Sequence, residues 1–235
     1  MGEHLRMGDI WDYLYPPRCP ACDGISAYGI CDRCRRDLVY IRDDFCMKCG
    51  KPLAGEQDEY CADCGKKRHY FDQGRALFSY QGRIRPSLYR LKYANRREYA
   101  AVYGREMADS LGGWVRQMRI TKIVPIPLHP SRQRKRGYNQ ADLLAKVIGR
   151  CLDLPVDTQL LCRVRKTAPQ KTLTSRQRKE NLAGAFQTRS AIRPGERILL
   201  VDDIYTTGNT ADAAALCLKR SGTCRVYVMN TAIGG

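Results

Sequence analysis

Two adjacent carboxylates, Asp202 and Asp203, stand between four apolar residues, Ile198–Val201, and a turn of hydroxyls and glycine, Tyr205-Thr-Thr-Gly-Asn-Thr210. An apolar run that breaks into acids and then into a helical pattern reads as a buried strand. Its C-terminal end meets a polar site faced by a helix N-terminus. Thr206, Thr207, Gly208, Asn209 and Thr210 offer backbone N–H groups, small hydroxyls and the positive end of a helix dipole, the parts of a phosphate cradle. The acids would repel a phosphate. They suit the hydroxyls of a sugar, or a Mg²⁺ ion between sugar and diphosphate. The chemistry implied is recognition of a phosphorylated ribose.

A second constellation occupies the N-terminal part. Eight of the twelve cysteines form four Cys-x-x-Cys pairs: Cys19/Cys22, Cys31/Cys34, Cys46/Cys49 and Cys61/Cys64. Each such turn aims two thiolates at one point, and two turns close a tetrahedral zinc site. Four turns make two sites, paired either in sequence or crossed, with iron–sulfur ligation or disulfides as the competing uses. Sites closed by four thiolates leave no position for water, so the zinc is structural and supplies folding energy to a segment poor in apolar residues. His69 follows the last pair and reads as a boundary residue. Cys151, Cys162, Cys217 and Cys224 lie among apolar residues and read as small core side chains.

Strands and helices must carry these residues. Ala76–Tyr80 reads as a short strand ended by Gly82. A helical stretch from Ser87 to about Leu111 follows, striped by Ile84, Leu88 and Leu91. On it Arg90, Lys92, Arg96 and Arg97 alternate with Tyr89, Tyr93 and Tyr99. That pattern suits either single-strand stacking and phosphate tracking or a solvated helix face. Thr121–Pro127 reads as a buried strand opening into a loop with Pro127, His129, Arg132, Arg134, Lys135 and Arg136, and a helix with Leu144, Val147, Ile148 and Cys151 follows. Residues 163–179 hold seven basic side chains and no acid, and read as a mobile lid or a basic linker. Ala211, Ala214, Ala215 and Leu218 stripe a helix ending near Gly222, and Arg225–Met229 is the last strand. Alternation through residues 120–230 predicts a mostly parallel α/β sheet with its site at the strand ends.

Charge separates the two parts. Residues 1–70 hold 11 basic and 12 acidic side chains; residues 71–235 hold 30 and 12, which accounts for the whole net charge of +17. The basic part points to a polyanionic partner. Metal loading takes the N-terminal part to about −5, which favours a structural or docking module over a DNA reader, with Arg33, Arg35 and Arg36 its local basic cluster. The expected division is a double zinc-ribbon module over 1–70 and an α/β domain over 71–235. No apolar run reaches membrane-spanning length, and the opening Met-Gly-Glu-His-Leu-Arg lacks a secretion signal's apolar core, so a cytoplasmic location without membrane insertion is expected.

The acid pair with its threonine turn resembles the 5-phosphoribosyl-1-diphosphate (PRPP) signature of type I phosphoribosyltransferases. Further motifs occur in one order along nearly the whole chain: Tyr15-Pro-Pro-Arg-Cys19, Leu88-x-x-Leu-Lys-Tyr93, Val124-Pro-Ile-Pro-Leu-His-Pro130, Arg136-Gly-Tyr-Asn-Gln140, Thr167-x-x-Gln170-x-x-Leu173, Arg178-x-x-Asn181 and Gly184-Ala-Phe186. Together they resemble the ComF/ComFC family, in which a zinc module joins a phosphoribosyltransferase-like domain. The resemblance implies Asp202 and Asp203 on ribose hydroxyls and Mg²⁺, and Tyr205 to Thr210 around the 5-phosphate. It also implies the Pro127–Arg136 loop on pyrophosphate, and a lid with Arg165, Lys166, Gln170 and Arg178. It further implies handling of incoming single-stranded DNA beside a competence helicase. Thr206 stands where the hypoxanthine–guanine relatives carry an acid, which argues against 6-oxopurine salvage.

Overall fold

The apolar run around Val201 forms the centre of a parallel sheet. A computed structural model describes residues 16–27, 29–53, 55, 58–165, 184–223 and 225–234. Two short helices, α1 (Asp32–Asp37) and α2 (Ala62–Lys66), belong to the cysteine-rich part. Then come β1 (Gln73–Ser79), α3 (Ile84–Tyr93), α4 (Tyr99–Gln117), β2 (Lys122–Pro125), α5 (Pro130–Arg136) and α6 (Gln140–Leu152). The chain continues as β3 (Leu161–Arg163), β4 (Phe186–Thr188), β5 (Arg197–Tyr205), α7 (Asn209–Arg220) and β6 (Arg225–Ile233). Four strands pair in parallel in the order β1-β6-β5-β2, and β3 pairs with β4 in an antiparallel ribbon.

Side chains alternate across a strand, so β5 faces two layers. Leu199 and Val201 join Leu88, Tyr103 and Leu144 on one side, while Ile198 and Leu200 join Ala214, Leu218 and Phe71 on the other. All four β5 residues are fully buried, each worth roughly 1.5–3 kcal/mol of apolar transfer. A central parallel strand covered on both faces accounts for a continuous apolar run.

The cysteine-rich part wraps the free edge of β1. Ile41 N–H donates to Leu77 O (2.9 Å) and Ser79 N–H to Val39 O (2.9 Å), covering an edge that would otherwise pair with other chains. The cysteines themselves divide between the two layers: Cys19 and Cys34 lie in the core under α3, α4 and α6, and Cys46, Cys49 and Cys61 in the core under α7.

Several expectations need correction. The single helix expected from Ser87 to Leu111 is two helices, parted at Asn95, which takes a left-handed φ of 54°. Arg132–Arg136 lie on a helix rather than in a loop, because His129 accepts from Ser131 N–H (3.2 Å), Pro130 occupies the first turn and Gly137 ends it at φ 81°. Cys151 is exposed at its helix end, and Cys162 and Cys217 are only half-buried, so these are not core cysteines; Cys224 lies outside the described residues. The last strand runs to Ile233, four residues beyond the expected end. No described helix is long and apolar enough to cross a membrane.

Candidate functional site

The C-terminal ends of β2 and β5 open into a cavity of about 1050 Å³. Asp202 and Asp203 line it from β5, Pro127 from beyond β2, and Arg132, Arg134, Lys135 and Arg136 from α5. Lys92 and Tyr93 close it from α3, and Arg163 from β3. The sequence-predicted acids and basic run therefore converge, though α5 presents the basic run where a loop was expected. His129 lies outside this lining: its Nδ1 caps α5 and meets Ser131 Oγ (2.8 Å). Two bonds hold the wall in place. Tyr138 Oη donates to Leu91 O, and Asn139 Nδ2 donates to Ile126 O (3.1 Å). Arg136 stacks over Tyr93 (5.0 Å) and Arg97 over Tyr138 (4.6 Å).

The acid pair is not symmetric. Asp203 is 3% exposed and pairs with Lys92 (Nζ–Oδ2, 2.9 Å). Asp202 is half-buried by surface area, and its Oδ1 accepts from Asp203 N–H (2.8 Å). Burial, reinforced by the Asp203 charge and opposed by Lys92, pushes the Asp202 carboxyl up to about 8. Burial opposes the Lys92 charge as well, but the Asp203 carboxylate outweighs it and holds the ammonium above the usual lysine range. Lys92 was read as part of an outward basic stripe; it faces the acids instead. Burial pushes the Arg163 guanidinium down to about 10, with Arg132 adding to the push and Asp202 opposing it.

Beside the acids, Thr206 to Thr210 turn into the start of α7. Gly208 takes φ 72°, which a side chain adopts only under strain, and a Cβ there would collide with the Tyr205 hydroxyl. Tyr205 itself is 6% exposed and packs edge-on against Phe71 (6.1 Å), so it supports the loop from beneath. Thr206 is exposed, while Asn209 is buried with its Oδ1 accepting from Lys67 Nζ (2.9 Å). Thr210 lines both the large cavity and a neighbouring one of about 20 Å³, room for about one water.

Two buried atoms near the turn lack hydrogen-bond partners, Thr207 Oγ1 and Asn230 Nδ2, while Asp203 Oδ2 meets only the Lys92 ammonium. Such groups cost about 1–3 kcal/mol each until something meets them. A hydroxylated ligand with a cation suits the acid pair that lines the large cavity, and a water in the small one would meet Asn230 Nδ2. Asn230 stands opposite Asp202 in the β5–β6 register and was missed by the sequence reading. Its signal was available, as Asn230 and Thr231 are polar residues in an otherwise apolar buried strand.

The cysteines resolve into two groups, Cys19/Cys22/Cys31/Cys34 and Cys46/Cys49/Cys61/Cys64, each with its sulfurs within 4.8 Å of one another. Pairing is therefore sequential. Cys22–Cys31 at 3.9 Å and Cys49–Cys61 at 3.7 Å match the edge of about 3.8 Å that a tetrahedron with Zn–S bonds near 2.3 Å requires. Cys31 N–H donates to Cys19 Sγ (3.4 Å), as ligand sulfurs in such turns accept. Both clusters suit structural zinc.

Arg90, Arg96 and Tyr99 stay apart from the cleft. Arg90 donates to Pro20 O and Ala21 O (3.1 and 3.0 Å), Arg96 pairs with Asp23 (3.0 Å), and Tyr99 is fully buried with its hydroxyl on Asp23. These residues bind the first cysteine cluster to α3 and α4. Tyr89 and Tyr93 are exposed, at 63% and 64%. Arg165 is exposed, and Lys166, Gln170 and Arg178 lie outside the described residues.

Residues 10–65 match the family model of the double zinc ribbon domain. The chain is similar to Competence protein F of Haemophilus influenzae, 38% identical over 47% of this chain and 49% of that protein. It is 34% identical to the DNA utilization protein YhgH of Escherichia coli over 62% of this chain and 65% of the other. Competence protein ComFC of Bacillus subtilis is 31% identical over 64% and 59%. The matched region thus spans from about half to just under two thirds of these relatives. Among solved structures, an adenine phosphoribosyltransferase from Leishmania tarentolae aligns over 60% of this chain and 73% of its own, with 16% identity and a TM-score of 0.36.

Proposed function

Since this chain is a relative of the ComF/ComFC proteins, we propose that its α/β domain, from about residue 71, binds PRPP with Mg²⁺ in the cleft between β2 and β5. The observation that carries this reading is the asymmetric acid pair at the strand ends, with a cationic wall on one side and a helix N-terminus on the other. Asp202 accepts from ribose hydroxyls, and Asp202 and Asp203 are the carboxylates that would hold the cation. Arg132, Arg134 and Arg136 take the diphosphate, where guanidinium forks bind two oxygens at once. Thr206, Thr207 and Thr210 with the first amides of α7 hold the 5-phosphate. Bound Mg²⁺ would neutralise the diphosphate as a leaving group. The chain's own part in pentosyl transfer is to hold the anomeric carbon in line and to surround developing positive charge with carboxylates. Kinship with proteins named for competence and DNA utilization supports a role in DNA uptake, and we extend that role to the cytoplasm, beside a helicase.

Calorimetric titration with PRPP tests this. Binding should require Mg²⁺ and fall at least tenfold in Asp203→Asn and Asp202→Asn. No binding by the zinc-loaded protein, with no effect of Asp203→Asn, would remove the reading.

A second reading has its own observation, the exposed Tyr89–Tyr93 pair (ring centroids 4.9 Å apart) beside the basic wall. In it the domain is a non-catalytic adaptor that stacks single-stranded DNA on the tyrosines and tracks phosphates with α5. Its affinity should drop steeply with salt, and neutralising Arg132–Arg136 should flatten that dependence. Salt-insensitive binding would rule it out.

A further inference from the structure

We infer that the second zinc ribbon positions the ligand loop through a clasp of Lys67, His69 and Asp212, so that metal occupancy of the Cys46/Cys49/Cys61/Cys64 cluster sets the affinity of the cleft. The inference rests on the reading of that cleft as a sugar-phosphate site. It concerns residues that no motif of the site includes.

The clasp begins at the cluster. Cys61 and Cys64 sit at the start of α2 and within it, and Lys67 follows α2 directly. Lys67 Nζ reaches Asp212 Oδ2 (2.8 Å), Asn209 Oδ1 (2.9 Å) and Thr207 O (3.3 Å). One ammonium thus spans the turn and the first helical residues of α7. His69, its side chain 1% exposed, places Nδ1 2.9 Å from Asp212 Oδ2 and stacks on Phe71 (4.8 Å). Tyr70 N–H donates to Asp212 Oδ1 (2.9 Å). His69 also lies over the loop glycine, since a Cβ on Gly208 would stand 3.1 Å from its Cε1.

Charge explains why the clasp matters for an anion. Asp212 lies in the first turn of α7, where its carboxylate is favourable to the helix but repels any phosphate at the same N-terminus. Burial opposes its charge, yet His69 and Lys67 outweigh burial and hold the carboxyl below the usual range. The Lys67 ammonium offsets its field towards the loop. The clasp therefore fixes the backbone amides of Thr206–Thr210 and removes a repulsion. It is anchored on a segment that zinc ligation folds. Without metal at that cluster, residues 61–70 lose their cross-link and the clasp loses its fixed end.

The test uses the full-length, zinc-loaded chain. Lys67→Met should keep two zinc ions and weaken PRPP–Mg²⁺ about tenfold, within the usual range of site-to-site coupling. It should also speed hydrogen exchange at Thr206–Thr210. Lys67→Arg should restore most of both, and Lys66→Met, at an exposed neighbour, should change neither. By reciprocity, PRPP should tighten zinc against a competing chelator in the wild type and not in Lys67→Met. Unchanged affinity and exchange in Lys67→Met, or zinc affinity indifferent to PRPP that the wild type does bind, would overturn the inference. Should Lys67→Met fail to fold, His69→Gln carries the same expectations. If the wild type binds no PRPP, the reading of the cleft fails instead, and the exchange comparison still decides the clasp because it needs no ligand.

Discussion

The two cysteine clusters have the same ligands and the same turn, yet they hold different parts of the molecule. The first lies on the helical face. Pro20, Ala21 and Asp23 take Arg90 from α3, Arg96 from the α3–α4 connection and Tyr99 from α4, and Arg35 pairs with Glu106 of α4 (2.6 Å). The second lies on the opposite face, against β1 and the start of α7. Its Gly50 (φ 78°) sits so close to β1 that a Cβ would meet Gly74 O at 2.8 Å. Between them, residues 39–41 run along the β1 edge. The ribbon module is therefore a clip over one sheet edge, with one jaw on the cavity wall and the other on the Thr206–Thr210 turn. Metal sites with equivalent ligands take their roles from what their flanking residues touch.

Removing one ligand from either jaw gives the largest expected effect. Cys34→Ser and Cys49→Ser should each lower the zinc content from two to one and cost several kcal/mol, because structural zinc supplies folding energy directly. The comparison predicts different patterns of damage. Loss of the first site should speed hydrogen exchange in α3 and α4, and loss of the second should speed it in β1 and the Thr206–Thr210 turn. Identical exchange maps for the two variants would break the comparison.

Much of this was legible in the sequence because it rests on local rules. The Ile198–Val201 run, the Ala211/Ala214/Ala215/Leu218 stripe and the Cys-x-x-Cys spacings each encode an element without help from distant residues. What escaped depends on partners far along the chain. Lys92 and Arg90 are two residues apart on one helix, but one meets Asp203 and the other meets Pro20 and Ala21. Spacing alone does not show which face is covered. His69 looked like a boundary because its partner, Asp212, lies 143 positions later. The break at Asn95 escaped because apolar periodicity continues on both sides of it. The β3–β4 ribbon consists of two three-residue strands, too short for a periodic signal.

A smaller effect isolates the first jaw without touching its metal. Tyr99 is fully buried, and its hydroxyl donates to Asp23; burial and that carboxylate push the phenol up to about 12. Tyr99→Phe should cost about 1–3 kcal/mol in urea denaturation, since it leaves a carboxylate short of a donor while keeping the ring. Zinc content should stay at two, and PRPP affinity should stay within about twofold if this jaw holds only the wall. A large loss of affinity would mean that the two jaws are not separate.

The smallest effect lies at the strand ends that both jaws flank. Asp202, pushed up to about 8 by burial and by Asp203, keeps a proton in the folded protein that the unfolded chain releases near pH 4. Between those values the native state binds more protons than the unfolded state, so stability falls as pH climbs through the window and levels off above it. Asp202→Asn removes the ionisation. The variant should match the wild type near pH 4 and exceed it at pH 9 by at least about 1 kcal/mol, equivalent to roughly 2–4 °C in melting temperature. Added Mg²⁺ should recover part of the difference for the wild type alone, because a cation replaces the proton between the carboxylates. Parallel stability curves for the two proteins from pH 4 to 9 would show that the acid pair is not strained. The clip would then be holding a site that needs no restraint.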